Sequence, residues 1–141
     1  MELDIIEIRA YNYFECQRQV KQIDVQDLMV INELIDHLKP IAITHQRLFK
    51  LNFFIGTEAE KGKLVRTYKH FIFRFEKVKG DKLLLSINNS LKLPEVAYIH
   101  QLQNIYYDIT GDVLKRAEST GTNEKVSGST VTKNSSVKKW Y

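Results

Sequence analysis

Apolar and polar residues alternate at the start of the chain. Within residues 3–14, the apolar side chains of Ile6, Ile8 and Ala10 are separated by charged ones. A period of two residues is typical of a β-strand. The segment QRQVKQID at residues 17–24 is predicted to be its hairpin partner.

The pattern changes to that of a helix after Asp24. Asp24 is a typical N-cap, and Asp27 lies three residues later, where it can complete a capping box. Pro40 disfavours helical conformation at the residue before it, so the helix should end there. We predict a helix over residues 25–38, with apolar residues at helical spacing: Leu28, Ile31, Leu34 or Ile35, and Leu38.

The strongest β pattern lies in residues 63–87. Alternation predicts a first strand over 63–78, a turn at 79–82 and a return strand over 83–87, which together form a prominent hairpin. The predicted first strand has Phe71, Phe73 and Phe75 on one face and Leu64, Tyr68, Ile72 and Val78 on the other.

Two more helices are predicted. Thr44 can cap a short one that closes before Gly56. Pro94 is suited to the first position of a C-terminal helix over about residues 94–110, and Gly111 to the left-handed cap that ends it. The elements predict an α+β fold with a small antiparallel sheet and two or three helices.

Size and composition suit one domain. The chain has 141 residues, of which 43% are hydrophobic, and we assign residues 1–114 to a single α+β domain. No run of about 18 apolar residues is present, and the acidic opening is unlike a secretory signal. We therefore expect a cytoplasmic protein with no membrane partner. The single cysteine, Cys16, excludes an internal disulfide and a Cys-rich zinc site.

Residues 115–141 differ from the rest in composition. From Ser119 onward the chain is rich in Ser, Thr, Gly, Asn and Lys, and its valines are isolated. Such a segment buries too little apolar surface to offset its ordering entropy. We predict a flexible, disordered, basic tail, whose Trp140 and Tyr141 could anchor it to a partner.

Charge is uneven along the chain. Residues 1–114 carry 15 basic and 15 acidic side chains, so the net charge of +4 lies in the tail. Residues 1–36 have three bases and eight acids, whereas residues 61–82 have eight bases and two acids. This polarity matters for docking surfaces, and it can drive head-to-tail self-association into a homo-oligomer.

The segment YIHQLQNIYYDITG at residues 98–111 concentrates polar side chains beside aromatic ones. No Ser or Cys nucleophile is close in sequence, and the four histidines show no metal-ligand spacing. Amides beside aromatic rings are more often bonded to neighbouring backbone. We therefore predict no catalytic residue, no metal and no cofactor, and we interpret the polar cluster as structural: His100, Gln101, Gln103 and Asn104.

Three segments carry a resemblance to a known family. YIHQLQNIYYDITGDVL at residues 98–114, LKPIAITHQRLFKLNFF at 38–54 and IRAYNYF at 8–14 resemble, in the same order, small proteins of Bacteroides-group bacteria and their phages. Those proteins end in a string close to YVHQLQNLYFALTG and carry a PIPLT segment. The resemblance implies an origin in a phage, prophage or other mobile element. It implies no activity.

The resemblance also bears on the fold. It implies a small β-rich, SH3-like part at about residues 1–40, joined to a hairpin-and-helix part, with the helix at 25–38 shortened and partly joined to the small sheet. The family's turn glycine falls at Tyr11, which puts a turn of positive φ in doubt. Gln46 and Arg47 replace acids that would favour a helix start.

Three classes of function remain open. We favour a non-enzymatic accessory protein that binds another protein of the host or phage, either as a virion component or as an anti-host factor. Nucleic-acid binding is the alternative, because the first predicted strand of the hairpin has Arg66, Tyr68, His70 and Arg74 on one face. Bases with an interleaved ring suit phosphates and stacked bases. An enzyme is the third class, because His70 and His100 are candidate acid–base groups that could meet in space, although nothing in their spacing requires it. The residues predicted to bind nucleic acid or another partner are Arg66, Tyr68, Lys69, Arg74, Lys77, Lys79, Lys82, Trp140 and Tyr141.

Overall fold

The computed structural model of the chain describes residues 3–56, 63–78 and 82–116. The predicted contact residues Lys79, Trp140 and Tyr141 and the tail from residue 117 lie outside the described residues. The described part contains two antiparallel sheets, several short helices and a longer C-terminal helix. This arrangement confirms the predicted α+β fold class.

The first sheet has three strands in the order β2–β1–β3, where β1 is Tyr13–Cys16, β2 is Gln19–Gln22 and β3 is Leu38–Lys39. The predicted hairpin partner at 17–24 is confirmed. The strand predicted over residues 3–14 is wrong in its first part, because Ile5–Glu7 form a 3-10 helix. The Asp4 carboxylate accepts a hydrogen bond from the Ile6 N–H, and such a local cap competes with strand pairing.

The helix predicted over residues 25–38 is wrong in its extent. It is divided into α1 (Val25–Met29), α2 (Ile31–Leu34) and a 3-10 turn (Ile35–His37). The predicted capping box is confirmed, because Asp24 and Asp27 each accept a hydrogen bond from the other's N–H, at 2.8 and 3.0 Å. Leu38 and Lys39 pair with β1, as the family resemblance implied, so the helix has to end before them.

The short helix after Pro40 is confirmed as α3, His45–Lys50. The Thr44 hydroxyl oxygen caps it by accepting a hydrogen bond from the Arg47 N–H at 3.2 Å. The Arg47 guanidinium donates to the Ala42 carbonyl at 2.9 Å. A base at this helix start is therefore tolerated, because it bonds to a carbonyl of the preceding loop.

The second sheet has five strands that neighbour one another in chain order: β4 (Phe54–Ile55), β5 (Lys63–Tyr68), β6 (Phe71–Lys77), β7 (Leu83–Ile87) and β8 (Leu91–Leu93). The single strand predicted over 63–78 is therefore two strands, joined at Lys69 and His70. Tyr68 pairs with Phe71, and Leu64 with Phe75. Side chains of paired residues share a face, so the predicted assignment of Leu64 and Tyr68 to the opposite face is wrong.

The C-terminal helix, α4, spans Ile99–Thr110 and begins later than predicted. Pro94 and Glu95 form a turn after β8, and Tyr98 is the N-cap. The predicted end is confirmed: Gly111 has φ 77°, and its N–H donates to the Tyr107 carbonyl at 2.8 Å. None of the helices within residues 3–56, 63–78 and 82–116 has the length and hydropathy needed to cross a membrane.

The described residues bury two hydrophobic clusters. The large one joins α4 to the five-stranded sheet through Leu102, Tyr106, Phe73 and neighbouring side chains. The small one consists of Ile8, Phe14, Ile23 and Leu38, and lies under the three-stranded sheet. α4 contacts both β1 and the 3-10 turn of residues 5–7, so it links the two parts of the fold.

Candidate functional site

Gln103 of α4 holds the N-terminal part in place. Its side-chain oxygen accepts a hydrogen bond from the Tyr13 N–H of β1 at 2.8 Å. Its amide nitrogen donates to the carbonyls of Tyr11 and Leu114, both at 2.9 Å. Gln103 is only 3% exposed, so these bonds satisfy an amide that would otherwise be costly to bury. The predicted bonding of this amide to a neighbouring strand is present.

Asn104 extends the same network toward the 3-10 turn. Its amide nitrogen donates to the Glu7 carbonyl at 2.8 Å, and its oxygen accepts from the Asn12 amide at 2.9 Å. The Asn12 oxygen in turn accepts from the Arg9 N–H at 2.8 Å. This series of hydrogen-bonded amides therefore holds residues 7–12 against α4 at Asn104.

Gln101 acts at the helix start. Its side-chain oxygen accepts hydrogen bonds from the N–H groups of Ala97 and Tyr98, at 2.9 and 3.1 Å. These contacts cap the first turn of α4. The Ile99 N–H donates to the Ile41 carbonyl at 2.8 Å, which joins the same turn to the segment before α3.

His100 is fully buried between the two clusters. Its ring lies 4.8 Å from that of Phe14, and its Nε2 is 3.1 Å from a carboxylate oxygen of Glu7. Burial lowers the pKa of His100, and the nearby Glu7 carboxylate only partly opposes that shift. The neutral ring therefore donates from Nε2 to Glu7, and within the described residues the buried Nδ1 has no hydrogen-bond partner.

An ion pair joins the same segment to α4 at the protein surface. The Arg9 guanidinium contacts both carboxylate oxygens of Asp108, at 2.8 and 3.4 Å. The hydrogen bond from Arg9 lowers the pKa of Asp108. The side chains are 44% and 60% exposed, so the pair orients the surface more than it stabilises the fold.

A cleft of about 270 Å³ opens beside this pair. Its walls come from the turn at residues 9–12, from α4, and from the chain that follows α4, and include Tyr11, Tyr107, Val113 and Leu114. Tyr11 and Tyr107 are 45% and 48% exposed. The Lys115 ammonium lies 5.7 Å from the centre of the Tyr11 ring, so the cleft combines aromatic walls with a basic rim.

Tyr11 occupies a backbone conformation that favours glycine. Its φ is 74°, so the turn of positive φ that the tyrosine put in doubt is present. The Gln103 amide nitrogen and the Gln22 side-chain amide both donate to the Tyr11 carbonyl. The surrounding hydrogen bonds therefore hold a conformation that costs an L-residue about 1–2 kcal/mol.

Two of the predicted binding residues face the large core. Arg66 pairs with Phe73 across the sheet, and its guanidinium donates to the Tyr106 hydroxyl at 3.2 Å and to the Leu51 carbonyl at 3.1 Å. The Tyr68 ring packs edge-on against Tyr106, with their centres 5.8 Å apart. The predicted common face of Arg66, Tyr68 and Arg74 is wrong, because Arg74 pairs with Val65 and points to the other side of the sheet.

The remaining predicted bases are separated. Arg74 is 9% exposed. Lys69 lies in the turn between β5 and β6. Lys77 is at the other end of β6, and Lys82 directly precedes β7 at that same end of the sheet. All three are exposed. The length of β6 places about 20 Å between the two ends. The described bases therefore form no continuous patch along the hairpin.

Sequence reasoning named Gln103 and Asn104 only as structural residues and missed the other residues that line the cleft. Arg9 and Asn12 lie more than 90 positions before their partners on α4, so no local spacing could reveal them. The one available signal was Tyr11 at the position of the family's turn glycine. No group of three His, Cys, Asp or Glu suited to a metal ion occurs within the part of the chain that the structure describes.

Comparison of the chain with protein-family models, with curated proteins and with solved structures finds no match.

Proposed function

We propose that this chain is a non-enzymatic accessory protein of a phage or other mobile element, and that it acts by binding another protein. The strings at residues 38–54 and 98–114 support the origin through their resemblance to the phage family. In this proposal the protein works in the host cytoplasm or in the virion, as an anti-host factor or as a structural component.

The observation that carries the proposal is that the amide side chains of α4 have structural partners, whereas the aromatic rings of the neighbouring cleft are exposed. Gln101, Gln103 and Asn104 form hydrogen bonds through their side-chain amides with the chain's own backbone and side chains. The cleft beside them exposes the rings of Tyr11 and Tyr107 instead. Tyr and Arg are enriched among residues that dominate protein interfaces, so this cleft is suited to an apolar side chain of a protein partner.

Protein is favoured over nucleic acid because of where the bases lie. Arg66 and Arg74 point to opposite faces of the sheet. Lys63 lies 3.9 Å from Glu76. A nucleic-acid surface instead needs several bases along one groove, with accessible rings between them.

The test compares copurification by the full chain and by cleft variants from producing cells. Tyr11→Gly and Tyr107→Ser remove the two rings, while Phe49→Ser removes an exposed ring of α3 outside the cleft. We expect the same protein to be retained by wild type and Phe49→Ser, and at least about tenfold less of it by either cleft variant. Equal retention by all four proteins would contradict the proposal.

A second measurement addresses the alternative. Filter binding of single-stranded and double-stranded nucleic acid is titrated against salt with the wild-type chain. We expect no retention at low salt. Retention that falls steeply with salt and is lost in a Lys69→Glu variant would favour nucleic-acid binding.

A further inference from the structure

The 3-10 turn next to the cleft projects two isoleucines into solvent. Ile5 and Ile6 are 42% and 81% exposed. The turn is held from both sides: Asp4 accepts a hydrogen bond from the Ile6 N–H, and the Glu7 carbonyl accepts one from Asn104. An aliphatic pair in a fixed turn is a rigid apolar projection, which loses little conformational entropy on binding.

This projection and the cleft lie on the same side of α4. Residues 5–7 contact α4, and the Glu7 carboxylate and carbonyl meet His100 and Asn104. Asn104 also lines the cleft, together with Tyr107. Since a helix rises about 1.5 Å per residue, the projection lies within roughly two turns of the cleft.

The charges around the two features have opposite signs. Exposed Asp4 directly precedes the isoleucines. Arg9 lines the cleft with its charge offset by Asp108, whereas Lys115, which lies against the Tyr11 wall, adds a positive charge at the rim. Four exposed apolar side chains, Ile5, Ile6, Tyr11 and Tyr107, therefore form one surface with an acidic projection and a basic-rimmed cleft.

We infer that the occupant of this cleft is a second copy of the chain, bound as a two-fold symmetric dimer. Because each copy carries both features side by side, rotation about a two-fold axis places the projection of each copy in the cleft of the other. Asp4 of one copy then faces Lys115 of its partner, twice per dimer. The inference is independent of the proposed function, because in it the second copy fills the cleft whenever no other protein is bound there.

The first test measures the mass of the purified full chain by sedimentation equilibrium at several concentrations. Wild type should be a dimer in equilibrium with monomer. Ile6→Asp should raise the dissociation constant by about tenfold or more, as expected for loss of a central contact. Phe49→Ser, which removes an exposed ring on α3, should leave it unchanged, and thermal melts confirm that each variant is folded.

A charge exchange gives the sharper test. Asp4→Lys alone and Lys115→Asp alone each place like charges at both contacts of the dimer, and each should be monomeric at concentrations where wild type dimerises. An equimolar mixture of the two variants restores both contacts, so it should form a heterodimer. The chain that carries both substitutions should dimerise again.

Several outcomes would overturn the inference. A wild-type monomer would do so, as would a dimer that ignores both charge variants. Assemblies that grow beyond two copies would show head-to-tail association instead. A monomer that still retains another protein through Tyr11 leaves the proposed function standing, whereas a restored heterodimer with no other protein retained supports the dimer and contradicts the proposed function.

Discussion

The five-stranded sheet contributes side chains such as Phe73, Phe75 and Leu85 to a cluster of 16 buried hydrophobic residues, whereas the cluster under the three-stranded sheet has four, counted over the described residues. The larger sheet is a simple meander whose neighbours follow in chain order. The smaller one closes with the two-residue strand Leu38–Lys39. Tyr13 and Val20 of the three-stranded sheet also belong to the large cluster, so burial of apolar area stabilises both regions, and more of that buried area lies on the five-stranded sheet.

The smaller region is joined to α4 by polar contacts, and its residues with positive φ are neither Gly nor Asn. Gln17 and Arg18 both have positive φ in the turn between β1 and β2, where such turns usually carry Gly or Asn. Tyr11 has the same conformation, and Gln103 and Asn104 supply the hydrogen bonds that hold its neighbourhood. α4 therefore stabilises the N-terminal part through directed hydrogen bonds, and this part presents exposed apolar side chains.

The largest expected effects come from the two cores. Phe73 and Phe14 are both fully buried. Phe73→Ala should lower the free energy of global unfolding by about 4 kcal/mol. Phe14→Ala should chiefly open the N-terminal region, so hydrogen exchange should accelerate in β1 and β2 and stay slow in β6. Equal loss of protection in both sheets would show that they unfold as one cooperative unit, and would contradict a separate opening of the N-terminal region.

Removal of the Gln103 amide should have the next largest effect. Gln103→Met keeps the side-chain volume but leaves the Tyr13 N–H and the Tyr11 and Leu114 carbonyls without this partner. Urea denaturation should show a loss of about 3 kcal/mol. The matched change Gln101→Met removes a cap at the helix start and should cost about 1 kcal/mol. Losses of the same size would mean that Gln103 has no special role in joining the two regions.

Protonation of His100 should weaken the junction in acid. Burial lowers the pKa of His100 below its ordinary value of 6.5, so between the folded and unfolded pKa values the unfolded chain binds the proton more readily. Stability is therefore complete above about pH 6.5 and falls as the pH drops through that value. His100→Gln should flatten this part of the profile. A profile that His100→Gln leaves unaltered would refute the assignment.

The structural interpretation of the polar cluster makes a related prediction. His100→Ala and Asn104→Ala each remove contacts with residues 7–12, so thermal melts should shift to lower temperature. A binding or catalytic activity lost at unchanged melting temperature would reverse that interpretation.

Tyr11 offers the smallest and most specific test. Tyr11→Ala and Tyr11→Gly both remove the ring, but only glycine relieves the left-handed backbone at φ 74°. The glycine variant should therefore be more stable than the alanine variant by about 1 kcal/mol in urea denaturation. The same pair changed at Tyr107, inside α4, should show the reverse order, because glycine destabilises a helix. An alanine variant at residue 11 as stable as the glycine variant would mean that the turn relaxes.

Local signals were predicted well because they act over a few residues. The Asp24 and Thr44 caps and the Gly111 helix end depend only on neighbouring backbone. The turn at Lys69 and His70 was missed because neither residue type is a turn signal. That one omission reversed the predicted faces of Leu64 and Tyr68, since side chains alternate along a strand.

The pattern of residues along the chain predicts the α+β class, the β-rich segment at 63–87 and the apolar stripe of α4, because periodicity and capping are properties of adjacent residues. The packed fold is needed to see that Arg66 turns inward, that Gln103 bonds with Tyr11 and Tyr13, and that Tyr11 and Tyr107 line one cleft. Those contacts join residues far apart in the chain. Their geometry follows from how α4 packs between two sheets, and no pattern along the chain records that packing.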